Sequence, residues 1–229
     1  MKTVLCVLAL VWPMAASGQT VFFDDFEGNA LLPHWLQPPA SRWEYNVSNS
    51  MLNVTGLFYP GIPHLGGNFA AMGALFTPQT DLRMEAWMGW EAGEAPHRLG
   101  LQVRAGPAGT GILATFRYAN EAWLGPTPVI VAGAAGSPNL LLMPAPPPGI
   151  YHFAITRVGT TFEYYFNGSL FGSLAGNNIP ATGIVLDFLG PYPGELGGFH
   201  IDRVKVIPAP GSLLIVLGLA LGCRCLSRN

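Results

Sequence analysis

The chain has 13 Asp and Glu residues among 229, so carboxylate chemistry has few places to occur. Hydrolysis of a glycosidic bond with retention needs two carboxyls about 5–5.5 Å apart, one as nucleophile and one as acid. Glu85, Glu91 and Glu94 are the nearest group, but Glu91 and Glu94 flank a glycine-containing turn and read as solvated loop charges. Saccharide binding asks for something else: a flat aromatic ring under the apolar sugar face and planar polar groups for the hydroxyls. Trp87, Glu85, Gln102, Arg104, Arg117 and Asp187 have those types, with Arg83 and Thr115 beside them. Asn120, Glu121 and Trp123 would rim such a site. The competing reading is a polar sheet face whose tryptophan is covered by packing. Asp24, Asp25 and Asp202 are hard oxygen ligands and suggest one structural Ca²⁺; Asp202 shares a strand face with Val204 and Val206, so it would face inward and need a partner.

Other chemistries are excluded. The five histidines have no zinc-ligand spacing. No Gly-x-Ser-x-Gly elbow occurs. Leu65-Gly66-Gly67-Asn68 lacks the helix and lysine of a phosphate cradle. Cys6, Cys223 and Cys225 all lie near the ends, so the central region has no thiol chemistry and no disulfide framework. No cofactor is expected. Net charge is −2, without the basic footprint of a nucleic-acid binder.

The candidate residues sit on segments of period two. Met84, Ala86, Met88 and Trp90 alternate with Arg83, Glu85 and Trp87. Leu99, Leu101 and Val103 alternate with Gln102 and Arg104; 112–118 repeats this with Thr115 and Arg117 outward. Tyr151, Phe153 and Ile155, then Phe162, Tyr164 and Phe166, continue the pattern, and Asn167-Gly168 is a two-residue hairpin signal. Further strands are expected at 21–23, 43–47, 50–55, 129–131, 140–143, 169–174, 184–188 and 199–206. Strands every 8–15 residues or so, with 29 Gly and 21 Pro between them, indicate an all-β antiparallel sandwich rather than βαβ units. Residues 19–207 carry 8 basic residues against 13 acidic, a mildly acidic surface.

The ends read differently. Lys2, the apolar run Val4–Val11, Pro13 and the small residues Ala15–Gly18 read as a secretory signal peptide over 1–18, with small residues that suit a signal peptidase cut before Gln19 or, as the alternative, after Ser17. Residues 208–229 hold Pro208-Ala209-Pro210-Gly211, an apolar stretch read as a C-terminal helix, and Arg224 and Arg228. This order of parts resembles the PEP-CTERM class of exported bacterial proteins, with Ala209 where that class usually has Glu. The resemblance implies transient retention in the inner membrane and release by an exosortase to the cell surface or the extracellular space.

A second resemblance covers most of 21–207. FFDDFEGNALLPHW (22–35), RVGTTFEYYFNGSLFG (157–172) and Ile201-Asp202-Arg203-Val204 are similar to the concanavalin A-like lectin/glucanase superfamily, including laminin-G-like modules. It implies a two-sheet jelly roll, often with a calcium ion between the terminal strands. Its glucanases carry Glu-x-Asp-x-x-Glu on one strand; here Glu85 is followed by Trp87 and Trp90 at the other two positions. The expected function is therefore a non-catalytic, exported surface or matrix protein with polysaccharide as its ligand class. The alternatives are a divergent glycoside hydrolase and a purely structural matrix component.

Overall fold

A computed structural model describes residues 21–28, 30–36, 43–56, 69–94, 97–106, 109–189 and 198–209. Residues 1–18, read above as a signal peptide, and the tail from Pro210 onward, with Gly211, Arg224 and Arg228, lie outside these residues.

The described residues form β1 (Phe22–Asp24), β2 (Trp43–Ser48), β3 (Met51–Gly56), β4 (Phe69–Gln79), β5 (Leu82–Trp90), β6 (Arg98–Ala105) and β7 (Gly111–Ala119). A short 3-10 turn at Ala122–Leu124 precedes β8 (Val129–Ala134), β9 (Leu140–Pro144), β10 (Gly149–Val158), β11 (Thr161–Phe166), β12 (Ser169–Ala175), β13 (Ala181–Leu189) and β14 (Gly198–Pro208). All pairings are antiparallel. One sheet has the order β12-β11-β10-β5-β14-β3-β2, with β1 also paired to β14; the other has β4-β13-β6-β7-β8-β9. This is a two-sheet jelly-roll sandwich.

Alternation builds the core. β5 buries Leu82, Met84, Ala86 and Met88, and β6 buries Leu99, Leu101 and Val103. Phe116, Phe153 and Tyr164 pack edge to face between the sheets. Asn167 and Gly168 take positive φ (48° and 79°) and close the β11–β12 hairpin as their types require. At Gly89 the β10 backbone comes so close that a Cβ would overlap the Gly149 carbonyl oxygen.

Three expectations change. Phe69–Gln79 is a strand that periodicity does not reveal. β14 runs through Pro208, and Ala209 is buried with its N–H on the Asp81 carbonyl (3.3 Å), so the first two residues of the Pro-Ala-Pro motif belong to the folded unit. Asp202 does not share the inward face of Val204 and Val206. A bulge pairs Ile201 with Met88 and Arg203 with Trp87, so Asp202 is the extra residue and the alternation flips there.

Candidate functional site

The residues expected on one polar face lie on two. β5, with Glu85 and Trp87, belongs to the eight-stranded sheet; β6, β7 and β13, with Gln102, Arg104, Arg117 and Asp187, belong to the six-stranded sheet. The chain passes from one sheet to the other between Trp90 and Arg98, so the two sets point away from each other across the core.

On the eight-stranded sheet Trp87 is flanked on both sides. Its cross-strand neighbours are His152 on β10 and Arg203 on β14. The His152 ring stacks on it at 4.2 Å and 19°, and the Arg203 guanidinium lies 4.9 Å from its centroid. Neighbours from both flanking strands thus pack against the ring, which is half-buried. Glu85 pairs closely with the Arg83 Nε, and Arg83 Nη1 donates to Thr156 Oγ1 at 2.9 Å. Burial pushes the His152 imidazole below its ordinary value against the opposing pull of Glu85; Arg83 and Arg203 reinforce the lowering.

The six-stranded sheet carries the charged network. Across its central row the register aligns Asp187, Gly100, Arg117, Val131 and Leu142. Gly100 has no side chain, and Arg117 occupies that space: a Cβ at 100 would overlap the Arg117 Cβ. Asp187 is fully buried and accepts from Gln102 Nε2 at 2.5 Å, while Arg98 Nη1 stands 3.6 Å from the same Oδ2. Arg98 also donates from Nε to Glu121 Oε1 at 2.7 Å, and Arg117 Nη2 approaches Glu121 Oε2 at 3.5 Å. That Oε2 accepts the Trp123 indole N–H at 2.6 Å. Trp123 itself is 65% exposed. A continuous chain thus runs from a buried carboxylate to a surface indole: Gln102, Asp187, Arg98, Glu121, Trp123. Arg104, two residues beyond Gln102 on β6, donates to the Thr110 carbonyl at 3.1 Å.

Burial pushes the Asp187 carboxyl above its ordinary value; Arg98, Arg117, the Gln102 bond and Arg104 pull the other way and do not overcome it. Burial likewise lowers Arg117, with Arg98 adding to the effect and Glu121 and Asp187 opposing it. Four polar atoms of this network are buried without a hydrogen-bond partner: Gln102 Oε1, Asp187 Oδ1, Arg104 Nε and Arg117 Nε. Arg98 and Glu121 complete the network, and the alternation pattern did not single out Arg98. The available signal was a glycine at the centre of β6.

The calcium ligands do not converge. Asp24 is buried, accepting from the Phe26 N–H at Oδ1 (2.9 Å) and the Trp35 indole at Oδ2 (2.6 Å), which ties down the segment after β1. Asp25 accepts the Glu27 N–H at 3.3 Å, and Asp202 pairs with Arg203 Nε at 2.7 Å. Among the described residues no three His, Cys, Asp or Glu side chains come together as a metal site.

A third place of interest is a 390 Å³ cavity at one end of the sandwich, lined by Met51, Trp90, Glu91, Pro148, Ile150 and His200 among others. His200 Nδ1 lies 2.7 Å from Asn53 Oδ1, and Nε2 lies 3.3 Å from Glu94 Oε2.

No protein-family model matches the chain, and a search of curated proteins finds no match. Solved structures do match. A non-specific endo-β-1,3(4)-glucanase from family GH16 is similar with a TM-score of 0.61 and 11% identity, over 83% of this chain and 94% of that one. An endo-1,3-β-glucanase (laminarinase) catalytic domain from Thermotoga petrophila RKU-1 gives 0.59 and 13%, over 84% and 98%. The CBM2 module of the Lactobacillus casei BL23 phage J-1 evolved Dit gives 0.59 and 10%, over 82% and 95%. Against larger matches the chain spans only part: 17% of a sialidase and 63% of a Clostridium perfringens endo-β-galactosidase. At such identities the likeness establishes the jelly-roll fold.

Proposed function

We propose that this chain is an exported, non-catalytic carbohydrate-binding protein, and that its ligand lies on the outer face of the six-stranded sheet. One observation carries the reading. Trp123 presents an exposed ring, and its N–H is fixed by Glu121, which is itself fixed by Arg98 and Arg117. An exposed ring tied through the Glu121 carboxylate to the Arg98 and Arg117 guanidiniums supplies the apolar platform and the planar donors that a saccharide uses. Because each group is already oriented by its neighbour, little side-chain freedom is lost on binding. Glycoside hydrolases and a carbohydrate-binding module among the similar folds agree with this ligand class. Export rests on the signal peptide and the Pro-Ala-Pro tail, which leads to a surface or extracellular-matrix location after handling by signal peptidase and an exosortase.

The test is a glycan array probed with the purified protein and with Trp123→Ala. Binding to a related set of glycans, lost in the variant with its circular dichroism unchanged, supports the reading. No binding to any glycan overturns it and leaves a structural matrix role.

A hydrolase reading has one observation in its favour: Asp187, held above the ordinary carboxyl range, and Glu121 both contact Arg98. An acid and a nucleophile are separated in this way by their environments. Against it, Asp187 is fully buried and a guanidinium occupies the space between the two. Reducing-sugar release from β-1,3-glucan that disappears in Glu121→Gln would establish this alternative.

A further inference from the structure

We propose that two copies of this chain pair edge to edge through β9, antiparallel, joining their six-stranded sheets into one sheet of twelve strands. Unpaired edge strands are templates for association, and proteins blunt them with charges, prolines, bulges or covering segments. Among the described residues four strands end the two sheet orders, besides the three-residue β1 beside β14, and three of the four are blunted. β4 is met on its outer side by Leu36, which exchanges two backbone hydrogen bonds with Gly73 (2.7 and 3.0 Å), and it contains Pro78. β2 carries the exposed Glu44. The pairing of β12 is broken by a bulge at Tyr164/Tyr165.

β9 is short and ends in Pro144, but among the described residues no charge, bulge or covering segment blunts it. Its register with β8 is unbroken from Leu140 to Pro144, proline occurs only at its last residue, and it carries no charge. Leu140 and Leu142 are 46% and 51% exposed, and Leu170 on β12 is 60% exposed. β12 packs over the same side, where Leu141 fills the space above Gly172.

The occupant is a second copy because of charge. Residues 19–207 carry a surplus of acidic residues, which opposes self-association elsewhere on the surface. No Asp, Glu, Lys or Arg occurs between Glu121 and Arg157, or between Glu163 and Asp187. Both strands at this side of the sandwich therefore lie in uncharged segments, and two identical neutral edges meet without repulsion. The pairing is isologous and closes on itself. A twofold axis through the centre of β9 puts Leu142 opposite its own copy and keeps the two outer faces on the same side. With neighbouring strands about 4.8 Å apart, the two Arg117 rows would stand about 24 Å from each other. Bivalent binding of one polysaccharide follows if the proposed function holds; the dimer itself does not rest on it.

The experiment uses the full chain in mild detergent. Light scattering on a sizing column is expected to give a dimer at about 100 μM, and Leu142→Lys/Leu170→Lys is expected to give a monomer with unchanged circular dichroism. Separately, Leu142→Cys in a chain whose three native cysteines are serine is expected to cross-link to a disulfide dimer on oxidation. Cα atoms opposed across an antiparallel pair, about 4.5–5.5 Å apart, are within disulfide reach. Lys205→Cys on β14 is expected to stay monomeric on the same gel. A monomeric wild type, a lysine variant that is still dimeric, or cross-linking at Leu142→Cys no greater than at Lys205→Cys would overturn the proposal. The cross-linking result decides the matter if the lysine variant fails to fold.

Discussion

Gly100 makes the room in which Arg117 lies. The two are paired across β6 and β7, and a Cβ on residue 100 would overlap the Arg117 Cβ and stand 3.2 Å from the Phe116 carbonyl oxygen. Gly100 is also paired with Asp187, so this absent side chain separates the acid from the base in the central row. Gly100→Ala is expected to push Arg117 out of the row. Overpacking of this kind typically costs about 1–3 kcal/mol. A urea titration should show that loss, and glycan binding should fall with it. Unchanged stability would mean that β7 can shift aside and that the close approach is not essential.

Asp187 makes stability depend on pH in a defined direction. Its folded carboxyl lies above its ordinary range of about 3.9 because of burial. A raised value means that the folded state holds the proton more tightly than the unfolded chain does. The resulting contribution is complete below about pH 3.9 and is lost as pH rises through the folded value. Asp187→Asn has no such proton. The stability of the wild type relative to Asp187→Asn should therefore fall as pH rises above about 4, measured as urea midpoints. A difference that grows with pH would show that the arginines outweigh burial.

Much of the fold was legible, because a strand with one buried face must alternate. The inward sets Met84/Ala86/Met88, Leu99/Leu101/Val103 and Phe162/Tyr164 follow from that rule alone. Alternation says which face a residue takes but not which sheet its strand joins. Trp87 and Gln102 are both outward, and only the crossing between β5 and β6 shows that they face opposite ways. Asp202 defeats the rule through one extra residue. Phe69–Gln79 escapes it because alanines and glycine leave too little contrast between the two faces. The site was half visible: Gln102, Arg104, Arg117 and Asp187 fall in one network, while Arg98 and the tie from Glu121 to Trp123 needed the register.

The two tryptophans separate binding from packing. Trp123 is mostly exposed, whereas Trp87 has His152 and Arg203 against its ring. Trp123→Ala should leave stability within about 0.5 kcal/mol, as for other surface changes, and weaken glycan binding about tenfold, which corresponds to about 1.4 kcal/mol. Trp87→Ala should do the reverse, costing about 2 kcal/mol of stability with binding intact. Isothermal titration and thermal melts on both variants distinguish these outcomes. Loss of binding in Trp87→Ala with a full-strength melt would place the ligand on the eight-stranded sheet instead.

His200 and Glu94 define a second pH dependence, independent of Asp187. The nearby Glu94 carboxylate holds the His200 imidazole above its ordinary value, against burial, which would lower it. Burial alone would raise Glu94, but the contact with His200 and the Glu91 N–H (2.7 Å) outweigh it and hold the carboxyl low. A raised histidine stabilises fully below about pH 6.5, and this is lost as pH rises through the folded value. A lowered glutamate stabilises above about pH 4.3, and this is lost as pH falls through its folded value. Both contributions are complete only between about pH 4.3 and 6.5. His200→Gln should flatten the decline in melting temperature that the wild type shows from about pH 6.5 to pH 8. Because the cavity beside Trp90 and Ile150 has His200 in its wall, the same variant changes the charge lining that cavity. If the decline above pH 6.5 persists undiminished in His200→Gln, another group is responsible and the pair does not couple proton binding to folding.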